Sequence, residues 1–133
     1  MKILLLILAL VIITGCSSNF KTICVNDKCF NAEIADDAEE RRVGLMKYDM
    51  LQEDEAMWFV FQESSRHSFW MKDMRFPIDI IWVDDKYNIV NVERNVQPCV
   101  GECTVYTPEK EARYVLEVRA NSNINIEDKI TVR

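Results

Sequence analysis

The chain has 133 residues, of which 22 are acidic and 16 basic, for a net charge of −6. That length suits one domain with one core. The acidic balance excludes the basic stripe that displaces phosphate counterions, so nucleic acid is not an expected partner.

Residues 1–15 read as a signal peptide. A single cation, Lys2, precedes the apolar run Ile3–Ile13, which is too short to span a bilayer as a stable helix. Ile13-Thr14-Gly15-Cys16 looks like a bacterial lipobox, in which the Cys16 thiol receives diacylglycerol and becomes the first residue. The expected organisation is therefore a leader over 1–15, a lipidated tether over 16–22 and a single globular domain over 23–133. Two or three palmitate-like acyl chains hold a protein on a membrane far more firmly than one. The protein is expected to be exported and lipid-anchored. Ser17 after the cysteine, rather than aspartate, resembles outer-membrane sorting in a cell with two membranes.

Four further cysteines would then lie where disulfides persist. In Cys24-Val25-Asn26-Asp27-Lys28-Cys29 a two-residue Asn-Asp turn pairs Val25 with Lys28, which brings the two cysteines opposite each other on a hairpin. Cys99 and Cys103 would close a short glycine-containing loop. Local pairing is the expectation, with the two cross-pairings or a four-cysteine zinc site as alternatives, because connectivity does not follow from spacing alone. Neither pair has the two-residue spacing of a zinc knuckle.

Ala35–Met46 is the one clear helix, with Asp36, Asp37, Glu39 and Glu40 in its first turns and Arg41 and Arg42 after them, as the helix dipole favours. Ala56–Phe61 follows as a strand apolar on both faces. Glu63–His67 reads as a turn leading to a hairpin's second strand, Ser68–Lys72. Pro77 then marks entry to Ile78–Val83, where Ile80-Ile81-Trp82-Val83 has no polar residue on either side of the pleat and so reads as covered on both faces and central. Ile89–Arg94 is a half-exposed strand, Asn95–Lys110 a long loop stapled by its cysteines, and Arg113–Arg119 and Lys129–Val132 the closing strands. Many short strands and one early helix predict an α+β, mostly β fold, a small barrel-like or sandwich sheet.

Charge beside this core marks the candidate site. Lys72 ends an aromatic strand and Asp79 starts a buried one, so each needs a partner, water or a ligand. Glu117 shares a strand face with Val115 and needs a partner too. A structural reading pairs Lys72 with Glu117 and Asp79 with Arg41. A functional reading makes Arg41, Trp70, Lys72, Asp79 and Glu117 a ligand-binding corner, Trp70 being the one tryptophan outside a doubly apolar strand. His67, the single histidine, sits in a polar turn and is not expected to be a general base. Ser64-Ser65 lacks a G-x-S-x-G elbow. Met46, Met50, Met57, Met71 and Met74 raise the possibility of Cu(I), but methionine is common core filler, and no metal or cofactor is expected.

Arg41-Arg42-Val43-Gly44-Leu45-Met46, Met57-Trp58-Phe59-Val60-Phe61, Phe69-Trp70-Met71-Lys72, Pro77-Ile78-Asp79-Ile80-Ile81 and Tyr114-Val115-Leu116-Glu117-Val118 resemble, in order, the blocks of the domain of unknown function 192. The resemblance covers nearly all of Ala35–Ile130. It implies a compact β-rich domain with one early helix, usually exported, and no established reaction. Five positions depart from the family pattern: Ala56 and Asn121 stand for glycines, Tyr48 for an arginine, and Asp73-Met74 for Asn-Thr.

The leading expectation is a non-enzymatic, lipid-anchored envelope domain that binds a small ligand or an envelope partner at this corner. The alternatives are an envelope hydrolase using Asp79 or Glu117 as acid or base, and an exported Cu(I)-binding protein.

Overall fold

The computed structural model describes residues 19–133; the expected leader, lipobox and Cys16 lie outside them. Strands β1 (Phe20–Val25) and β2 (Lys28–Ala35) form the N-terminal hairpin with Cys24 opposite Cys29 in register, and the two are disulfide-bonded. Asn26 takes the left-handed backbone that the tight turn requires, at φ 52°. Its side chain reaches Asp128 and the Lys129 N–H, which ties the turn to the C-terminal strand. Pairing begins at Phe20, inside the stretch expected to be tether.

Helix α1 is shorter than the sequence predicts, spanning Ala38–Val43. Ala35 belongs instead to β2, where it pairs in parallel with Phe59 of β3 (Glu55–Ser65). Asp37 caps α1 by a capping box, its carboxylate accepting from the Glu40 N–H while Glu40 reaches back to the Asp37 N–H. Gly44, at φ 49°, ends the helix by a turn of backbone that L side chains rarely adopt, and a 3-10 turn Gly44–Lys47 follows. This crossover makes β2 and β3 the one parallel pair in the sheet.

The remaining strands are β4 (Ile78–Val83), β5 (Ile89–Val96), β6 (Ala112–Arg119) and β7 (Ile130–Val132). The sheet order β5-β4-β6-β3-β2-β1-β7 curls into a half-barrel, with a bridge between Asn88 and Lys129 bringing its two edges together at one end. β4 is buried along its whole length, as its unbroken apolar run predicts, but β3 and not β4 is the middle strand. Ser68–Lys72 does not form the predicted hairpin strand. β3 continues through Ser65, and the aromatic segment is held by isolated bridges from Phe69 to Tyr106 and from Lys72 to Cys99. The Cys99–Cys103 disulfide lies in that supporting loop.

Two apolar clusters sandwich the sheet. The concave one gathers Ile23, Phe30, Trp58, Ile81, Leu116 and Val118, and the outer one Leu45, Met57, Phe59, Met71, Ile80, Trp82 and Val115. Successive residues of a strand alternate between them. The outer cluster is covered by the 3-10 turn and the Ser68–Phe76 segment rather than by a second sheet. Among the described residues no helix is long and apolar enough to cross a membrane, and both disulfides suit the oxidising environment of an exported protein.

Candidate functional site

Cross-strand register decides where the two buried carboxyls point. Asp79 pairs with Val118, whereas Ile80 pairs with Glu117, and Glu117 in turn faces Met57. Asp79 therefore shares the concave face with Val118, and Glu117 shares the outer face with Met57 and Ile80. The expected corner is thus divided by the thickness of the sheet.

Asp79, with no exposed surface, accepts from the Asn95 N–H at 2.7 Å, the Ser122 N–H at 2.8 Å and the Ser122 hydroxyl at 2.6 Å. These bonds pin the irregularity of β5 at Asn95 and the loop after β6 at Ser122 to β4, and answer the demand that a buried carboxylate be hydrogen-bonded. The expected ion pair with Arg41 does not form. Nearby, Asn121 holds a left-handed φ of 67°, which explains a family glycine at that position and its tolerance of asparagine.

Glu117 is 5% exposed and makes no hydrogen bond or ion pair to another described residue, and the expected bridge to Lys72 is absent; because no described side-chain oxygen is both fully buried and unpaired, its carboxyl keeps contact with solvent. Its remaining exposure opens into a cleft of about 380 Å³ on the outer face. Burial alone pushes its carboxyl up to about 8. The acid is consequently mostly protonated at neutral pH and able to donate.

The cleft runs between the α1 end and the 3-10 turn on one side and the Ser68–Met74 segment on the other. Phe59, Phe61, Phe69 and Trp70 supply its aromatic lining. Phe59 meets Phe69 edge to face at 5.0 Å, which fixes the angle of the Ser68–Met74 wall. Trp70 is 54% exposed, with Lys72 Nζ 5.3 Å from its ring centroid. Across the mouth, the Arg41 guanidinium lies 5.2 Å from the Phe61 ring centroid and donates to the carbonyls of Asp36 and Val60. The Val60 carbonyl is free for this because the register between β3 and β6 shifts just beyond it. Arg42 is occupied by Glu39, so Arg41 and Lys72 are the cleft's cations without an acidic partner.

Four of the five residues singled out from sequence thus line one cleft, and Asp79 does not. Sequence reasoning missed Phe61 and Phe69 as walls, although the R-x-x-G-L-M block facing an aromatic strand could have suggested them. Trp58 and Trp82 are buried, as their strands predict; Trp82 donates its indole N–H to the His67 carbonyl. The methionines do not converge: Met57 and Met71 are core, Met50 is exposed, and Met46 and Met74 line the cleft. Among the described residues no group of His, Cys, Asp and Glu is placed to hold a metal.

Fold and cleft together define a small β half-barrel domain with one aromatic, ligand-sized recess against its outer face. Residues 21–132 match the model of the domain of unknown function 192, described as "Uncharacterized ACR", and the chain belongs to that family. No curated protein is significantly similar in sequence. The fold is similar to that of a candidate transcription regulator from Sinorhizobium meliloti 1021, with a TM-score of 0.78 and 22% identity over 87% of this chain and 95% of that one. It is also similar to that of a protein of unknown function from Novosphingobium aromaticivorans DSM 12444, with a TM-score of 0.75 and 24% identity over 84% of both chains.

Proposed function

We propose that this protein is a lipid-anchored ligand-binding module of the cell envelope, with the outer-face cleft as its binding site. The observation that carries the reading is Glu117, a nearly buried carboxyl that no other described residue bonds and whose remaining exposure opens at the wall of an aromatic recess. The carboxyl keeps only a narrow opening to the cleft, and a ligand acceptor that takes the place of solvent there makes its hydrogen bond in a low-dielectric site, where such a bond is stronger than in water. The hydrolase reading, with Asp79 or Glu117 as acid or base, is left with Glu117 alone at the cleft, because the Asp79 carboxylate lies on the other face of the sheet with its oxygens bonded to Asn95 and Ser122. A role as a transcription regulator that contacts DNA is disfavoured for this chain by its net charge of −6.

Native mass spectrometry of the full chain purified from its own membranes tests the site. A small molecule is expected on the wild type and not on Glu117→Leu, whose side chain fills the same place but offers the ligand no hydrogen bond. Identical unliganded masses for both, before and after exposure to envelope extract, would remove the reading.

The anchor rests on the lipobox-like Ile13–Cys16. Each buried methylene of an acyl chain contributes about 0.8 kcal/mol to membrane affinity, so Cys16→Ser is expected to abolish partitioning into detergent. A mutant that partitions like wild type would show that Cys16 carries no lipid.

A further inference from the structure

Resting on that reading, we propose that the cleft takes a small ring-shaped organic anion. The acidic group of this ligand sits between Lys72 and Arg41, its ring lies against Phe69 and Trp70, and a hydrogen-bond acceptor at its far end meets the Glu117 carboxyl.

Charge supplies the first argument. The chain as a whole is acidic, yet the cleft is bordered by Arg41, Arg42 and Lys72 against Asp73 and Glu117. Arg42 is neutralised by Glu39, at 2.6 Å. Arg41 donates only to neutral carbonyls, and Lys72 only overhangs an indole. Two cations without counterions at the mouth of a low-dielectric recess attract an anion more strongly than the same charges on open surface.

Shape supplies the second argument. A volume of about 380 Å³ holds one ring with short substituents rather than a polymer. Aromatic side chains line it; Phe61 is covered by His67 and Arg41, which leaves Phe69 and the half-exposed Trp70 as the surfaces an aromatic or pyranose ring can pack on. Lys72 and Arg41 already occupy cation positions over Trp70 and Phe61, so a cationic ligand would have to displace them and would meet their charge.

Glu117 supplies the third. It is flanked on its face by the apolar Met57 of β3 and Ile80 of β4, and the charged groups lining its cleft are Arg41, Arg42, Lys72 and Asp73. Burial keeps its proton in place to about pH 8, so it meets the ligand as a neutral donor. Ionisation would remove that donor and add a negative charge facing a negative ligand. Affinity should then be flat below neutrality and fall as pH rises through 8.

Matched pairs of probes test this by calorimetry on the full chain in detergent: 4-hydroxyphenylacetate against tyramine, and glucuronate against glucosamine. The carboxylate of at least one pair is expected to bind at least tenfold more tightly than its amine, and the pair that responds tells an aromatic ring from a sugar ring. Lys72→Met should weaken that carboxylate at least tenfold. Glu117→Gln, which remains a neutral donor, should bind within a few-fold of wild type at pH 7 and lose the fall above pH 8, whereas Glu117→Leu should not bind. Tighter binding of the amines, or loss of binding in Glu117→Gln at pH 7, overturns the anion assignment and leaves the cleft as a binding site. If no probe binds while native mass spectrometry still shows a molecule that Glu117→Leu loses, the ligand class is likewise wrong and the site stands. If no probe binds and no such molecule is seen, both fall together. Because Glu117→Leu keeps the core apolar, a melting curve at or above wild type separates lost binding from lost folding.

Discussion

Asp79→Ala is expected to destabilise the domain by about 3 to 5 kcal/mol, because it strands buried donors that no other group can reach. The Asn95 N–H, the Ser122 N–H and the Ser122 hydroxyl all converge on this one carboxylate. Bonds to a charged acceptor are worth more than neutral ones, and the cost of leaving buried donors unpaired is added to their loss. Set against a typical total of about 5 to 15 kcal/mol, such a change lowers the melting temperature by roughly 10 to 20 °C. Asp79→Asn keeps the shape but turns an amide N–H₂ toward donors, so it should fall between alanine and wild type. Ser122→Ala should cost less than Asp79→Ala, and the double mutant should cost less than the sum, since the two residues share one network. Urea unfolding of the wild type and the four variants gives these values directly. A change below about 1 kcal/mol for Asp79→Ala would mean that the carboxylate does not hold the β5 irregularity and the Ser122 loop.

The contrast between Asp79 and Glu117 shows where sequence reading stops. Both residues sit in runs of apolar side chains, and both can be recognised as carboxyls beside a core. The face that each occupies depends on the register of β4 against β6, a long-range pairing that the local alternation of either strand leaves open. The β4 run and the Cys24–Cys29 hairpin were legible because each is decided locally, the first by composition and the second by a two-residue turn. Ser68–Lys72 was misread for the opposite reason. Its aromatic pattern is strand-like, but its backbone partners lie at Cys99 and Tyr106, in a loop without strand pattern. Ala35 was drawn into the helix by the acidic residues after it, whereas parallel pairing with Phe59 claims it for β2. The cleft itself could not be read, since its walls come from α1, β3, β6 and the Ser68–Met74 segment, which only the folded chain brings together.

Glu117 should give the fold an unusual pH dependence. Its folded value of about 8 lies well above the 4.5 of an ordinary glutamate, and burial is the cause. Between those limits the folded state holds a proton that the unfolded state has released, so stability falls as pH rises. The favourable contribution is complete below about pH 4.5 and is gone above about pH 8. The slope inside that window is close to 1.4 kcal/mol per pH unit, which makes the whole loss several kcal/mol. Carboxylates such as Asp128, held low by the Asn125 N–H and the Asn26 amide, act in the opposite sense but at lower pH, where they lose their stabilising bonds to protonation. The two effects therefore occupy separate ranges. Glu117→Gln removes the titrating group while keeping size and polarity, so the mutant should match wild type near pH 4.5 and exceed it by a margin that grows up to pH 8. Urea unfolding of both proteins across pH 4.5 to 9, without added ligand, measures that margin. A constant difference between the two curves would show that the Glu117 carboxyl is ionised in the folded protein and that its side of the cleft is wet.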